Sequence, residues 1–108
     1  MNYTGIIIEQ SLKNKDILEN IKIVKTSQDS GWTLLTVSIT EEQISEISKE
    51  INDNKWYMHF WNNRDVIVVF KDKTFNINYD NKDTWENAVE YGILMGIPKE
   101  QLDFPIVE

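Results

Sequence analysis

The stretch Lys55-Trp56-Tyr57-Met58-His59-Phe60-Trp61, running on through Asn62-Asn63-Arg64-Asp65 into Val66-Ile67-Val68-Val69-Phe70, decides the fold class. In an extended chain, successive side chains point to opposite faces. Over 55–61 that rule sends Trp56, Met58 and Phe60 to one side and Tyr57, His59 and Trp61 to the other. Residues 62–65 are turn formers, so the segment predicts a β-hairpin with a four-residue loop. Its second strand, 66–70, has no polar position and is apolar on both faces. If helices cover the Trp56/Met58/Phe60 face, the Tyr57/His59/Trp61 face needs another cover.

Downstream, residues 71–73 turn the chain into a strand over 74–79, with Phe75, Ile77 and Tyr79 on one face. The last helix starts near Asp83, where Glu86 three residues on fits a reciprocal cap. Its apolar stripe is Trp85, Ala88, Val89, Gly92 and Ile93, and Gly96 followed by Pro98 ends it. One more turn over 98–102 and an extended tail over 103–108 complete the chain.

Upstream, Thr40-Glu41-Glu42-Gln43 fits a capping box, and Ile44, Ile47 and Ile51 give the following helix one apolar face. Strands are predicted over 3–10, 21–26 and 32–39, with a polar turn over 27–31 and a weak helix over 11–20. The resulting order is β-α-β-β-α-β-β-β-α. It predicts a single α+β domain over 1–108, two-layered, with helices on one face of a mainly antiparallel sheet. The arrangement resembles a ferredoxin-like βαββαβ unit with an extra C-terminal strand and helix.

Composition narrows the function classes. The chain has 108 residues with 11 basic and 18 acidic side chains, a net charge of −7 that disfavours nucleic acids and anionic membranes as partners. Zero cysteines exclude disulfides, iron–sulfur clusters and cysteine zinc sites. No apolar run approaches the roughly 20 residues that span a bilayer, and no basic–apolar leader is visible, so a cytoplasmic location is expected. No phosphate-binding glycine loop, HExxH, GxSxG or CxxC motif is present, and no cofactor, metal site or catalytic residue is assigned.

The candidate ligand or interface residues are Tyr57, His59, Trp61 and Arg64. His59 is the only histidine and so the only side chain with an ordinary pKa near neutrality. Arg64, the only arginine, sits in the adjoining loop, where a guanidinium can grip a carboxylate or phosphate. Glu42, Glu46 and Glu50 form an acidic row along one helix face.

Tyr91-Gly92-Ile93, Gly96-Ile97-Pro98 and Gln101-Leu102-Asp103-Phe104, with Trp56-Tyr57, Val69-Phe70-Lys71 and Tyr3-Thr4-Gly5-Ile6-Ile7, resemble a family of small uncharacterised bacterial proteins. The resemblance implies an α+β fold and a bacterial, cytoplasmic origin. It carries no activity or residue role, and His59 stands where that family has an acidic residue.

The sequence therefore points first to a non-enzymatic module that forms a homodimer or binds another protein through the aromatic Tyr57/His59/Trp61 face. The alternatives are an acidic, immunity-type partner of a basic protein, steered by the glutamate row, and a small-ligand domain or enzyme with a groove near His59 and Arg64.

Overall fold

A six-stranded, wholly antiparallel sheet in the order β2-β3-β1-β4-β5-β6 forms the frame of the computed structural model, which describes residues 2–106. The strands are β1 (Asn2–Ile8), β2 (Lys22–Asp29), β3 (Trp32–Thr40), β4 (Tyr57–Asn62), β5 (Asp65–Phe70) and β6 (Lys73–Asn78); the helices are α1 (Glu41–Glu50) and α2 (Glu86–Leu94).

Local chemistry sets most boundaries. Thr40 accepts from the Gln43 amide at 3.2 Å while Gln43 Oε1 accepts from the Thr40 amide at 3.0 Å, so α1 opens with the capping box expected of it. Both turn residues between β2 and β3, Ser30 and Gly31, have positive φ (52° and 87°), the handedness that suits a two-residue hairpin. That turn is shorter than expected, because β2 continues to Asp29. Between β4 and β5 the ladder likewise runs out to Asn62↔Asp65, leaving Asn63 and Arg64 at the tip. The last helix enters through a 3₁₀ turn, Lys82–Trp85, and the cap is Asn81, accepting from Asp83, rather than Asp83 itself. Gly96 ends it with φ 93°, as anticipated. Of the extended tail expected over 103–108, Val107 and Glu108 lie outside the described residues.

The α+β class with an antiparallel sheet is observed; the finer layout differs in two ways. First, the helices do not share a face. Ile44, Ile47 and Ile51 pack with Tyr3, Ile7, Val37, Ile39, Met58, Phe60, Ile67 and Val69 on what we call the front. Trp85 and Ala88 pack with Val66, Val68, Phe70 and Ile77 on the back, together with Ile97, Leu102 and Phe104 from the C-terminal segment. The reason is visible in β5: its two alternating sets of apolar side chains are buried on opposite faces, and each needs its own cover. Over β4, β5 and β6 the protein is thus three layers thick, not two.

Second, the connection after β1 is not an α-helix but two 3₁₀ turns, Glu9–Ser11 and Lys15–Asn20. The second holds no buried residue, and it offers Ile17 and Leu18 as partial cover only. Two strands, β5 and β6, follow β4 as the predicted order requires, and they carry the sheet well past a four-stranded βαββαβ unit. The six-stranded order and the placement of the helices on opposite faces differ from those of a ferredoxin-like βαββαβ unit.

The sheet joins its halves through a narrow seam. β1 pairs with β3 along its whole length, Asn2↔Thr40 to Ile8↔Leu34, but with β4 only at Thr4↔Trp61 and Gly5↔Phe60. Gly5 is required there. A Cβ at this position would collide with the edge of the Phe60 ring and lie 2.7 Å from the His59 carbonyl oxygen. Past Gly5 the ladder stops, and Ile6 and Ile8 lie across the seam from His59 and Tyr57 without pairing to them.

Candidate functional site

Tyr57, His59 and Trp61 share the back face of β4, as alternation requires, and the C-terminal segment lies over them. The Tyr57 hydroxyl donates to the carbonyl oxygens of Gln101 and, at 3.3 Å, Asp103. His59 Nε2 lies 2.6 Å from the Pro105 carbonyl oxygen. Phe104 is fully buried, with its ring centre 5.8 Å from Tyr57, 5.9 Å from His59 and 5.0 Å from Trp85. Gly92 makes room for this path: Leu102 side-chain atoms come within 2.6 Å of where a Cβ would sit. The glycine thus admits the tail, not the sheet, and Ile93, expected in the buried stripe, is exposed.

Electrostatics follow the burial. Desolvation pushes the His59 pKa below its usual 6.5, against the opposing pull of the Pro105 hydrogen bond and the Asp103 charge. Burial likewise raises the Tyr57 hydroxyl above its ordinary value, the hydrogen bond to Asp103 opposing it. His59 is therefore neutral near pH 7, with one ring nitrogen already engaged. Arg64 turns away, donating from Nε to Asp80 Oδ2 at 2.9 Å and from a terminal nitrogen to Oδ1 at 2.5 Å, with its guanidinium 4.6 Å from the Tyr79 ring centre. That pair holds the Asp80 carboxyl below the usual carboxylate range. The structure brings Tyr57, His59 and Trp61 together and leaves Arg64 out.

Beside the tail lies a groove of about 390 Å³, formed where β1 and β4 stop pairing. His59, Tyr57 and Trp61 contribute from β4, Ile6 and Ile8 from β1, and Leu34 from β3. Gln101 and Pro105 form the tail-side bank, and Lys55 and Trp56 close the end nearest the α1–β4 loop. Trp56 is held edge-on by Trp32, ring centres 5.1 Å apart. A second, polar depression of about 560 Å³ holds Arg64 with Asn2, Thr4, Asn62 and Asn63, sharing Trp61 with the first.

Ile6, Ile8, Leu34 and Lys55 were not singled out from sequence. The run Ile6-Ile7-Ile8, apolar at both parities, was the signal: one set had to face away from the α1 core. Of the acidic row, Glu42 and Glu46 face solvent and neither pairs with a basic group among the described residues. Among the described residues there is no cluster of three or more His, Asp or Glu side chains that can hold a metal, and no helix is long and apolar enough to cross a membrane.

Compared with protein-family models, curated proteins and solved structures, the chain has no match in any of the three.

Proposed function

We propose that the protein is a non-catalytic binding module whose binding surface is the groove at the β1–β4 seam. The observation that carries this reading is the groove itself. Its volume of about 390 Å³ falls in the range of roughly 300–1,000 Å³ usual for small-molecule sites, which are mostly apolar with a few polar groups. Acid–base chemistry fits poorly, because His59 has its Nε2 committed to Pro105 and its charged form disfavoured by burial. The expectation of an interface through Tyr57, His59 and Trp61 is narrowed accordingly: the tail already occupies much of that face, and the groove is what it leaves open.

The neutral dye Nile red tests this. One dye should bind per chain, with a blue-shifted emission, and Ile6→Asp should abolish binding while leaving the near-ultraviolet circular dichroism unchanged. Ile6 is 42% exposed, so the variant should fold. No binding to the wild-type protein would end the proposal.

Self-association remains a second reading, favoured by a different observation. Ile6, Ile23, Val24 and Trp32 are large apolar side chains left exposed on the β2–β3–β1 half, Val24 to 63%. Self-association through this half would take them out of water. Light scattering after size exclusion, at low and high salt, should then show a salt-resistant dimer that Trp32→Glu dissociates. A monomer throughout would remove this reading.

A further inference from the structure

The seam groove has a direction and a single charge, and both specify a ligand class. Its axis follows β4 from Trp61, where β1 is still paired, past Ile6 and Ile8 to Lys55 at the end nearest the α1–β4 loop. With a strand rise of about 3.3 Å per residue, the four steps from Tyr57 to Trp61 cover roughly 13 Å. Only Lys55 among the lining side chains carries a charge at neutral pH, since His59 is held neutral. Its ammonium forms no ion pair among the described residues. Glu100 and Asp103, the carboxylates of the described tail, do not line the groove, and Asp103 Oδ1 accepts from the Phe104 amide.

From this geometry we infer that the groove takes a linear amphipathic monocarboxylate, a free medium-chain fatty acid in chemical class, with its chain along the β1–β4 seam and its carboxylate at Lys55. The inference rests on the groove being the binding surface. The protein's net charge of −7 sharpens it: a general electrostatic effect would repel a fatty anion relative to its neutral analogue. A preference for the anion has to come from a local cation. Lys55 is an exposed loop residue whose backbone amide, not its ammonium, is held by the Asp53 carboxylate at 2.8 Å. Replacing its side chain leaves that loop contact intact.

The experiment is displacement of Nile red by decanoate and by decan-1-ol, below the micellar concentration of decanoate. Wild-type protein should release the dye at a decanoate concentration several-fold below that of decanol, the scale of a solvent-exposed charge pair. Lys55→Met should remove the preference, leaving decanol at least as effective as decanoate, and Lys55→Arg should keep the preference. Equal displacement by acid and alcohol in the wild type, or a preference that survives Lys55→Met, would overturn the assignment of the carboxylate to Lys55 while the groove reading stood. Failure of Nile red itself to bind would overturn both. Sedimentation with phosphatidylglycerol vesicles separates a membrane surface from a free acid: binding to vesicles that Lys55→Met abolishes, without displacement by decanoate, would sink the proposal in favour of a lipid headgroup.

Discussion

His59 Nε2 and the carbonyl oxygen of Pro105, 46 residues apart in sequence, lie 2.6 Å from one another, and this contact fixes the C-terminal segment against the centre of the sheet. It turns a histidine that looked available for chemistry into a structural group. The same contact forms one bank of the seam groove, so the stability of the tail and the shape of the candidate site are linked.

A pH dependence follows from that burial. Because the folded-state pKa of His59 lies below the ordinary 6.5, acidification protonates the unfolded chain first. Stability should hold above that ordinary value and fall as the pH drops through it toward the depressed folded one. Urea denaturation at about pH 7.5 and about pH 5.5 should show a lower midpoint at the acid end. His59→Gln, which can still donate to Pro105, should lose the His59 share of that difference. An unchanged difference in the variant would mean His59 is not shielded from water.

The tail's anchor is Phe104, wholly buried among aromatic rings. Phe104→Ala should cost about 3–5 kcal/mol, the usual range for emptying such a site. Chemical denaturation measures the loss, and hydrogen exchange should rise in residues 98–106 and in β4 but not in α1, which packs on the other face.

Gly5 is the narrowest point of the seam. Gly5→Ala should destabilise by about 1–3 kcal/mol or more, because the added methyl meets the Phe60 ring and the His59 carbonyl oxygen. Thermal unfolding would detect this. A near-neutral result would show that β1 and β4 can separate freely there.

The α1 cap offers a local control. Thr40→Ala removes the acceptor for the Gln43 amide and should cost about 1 kcal/mol, within the usual 0.5–2 kcal/mol for such caps. The groove lies on the opposite face of the sheet, so Nile red binding should persist.

What the sequence determined by itself is what depends on neighbours along the chain. The Thr40–Gln43 capping box, the alternation within residues 57–61, the hairpin they form with 66–70, and the left-handed stop at Gly96 are local, and each appears in the fold, although Lys55 and Trp56, expected in the same strand, precede it. The two-faced strand β5 also signalled that both sheet faces needed cover. Which element supplied the cover was not local. Trp85 and Ala88 could have packed beside Ile44 and Ile47 without any change in helical periodicity, and only the tertiary path after β6 places them on the back. The site divides the same way. Tyr57, His59 and Trp61 share a face because side chains alternate, whereas the pairing of Arg64 with Asp80, the burial of His59 under Pro105 and the gap between β1 and β4 arise from segments remote in sequence. Their positions are set by the burial of Phe104 and by the space that Gly5 and Gly92 leave open, quantities that exist only once the chain has packed.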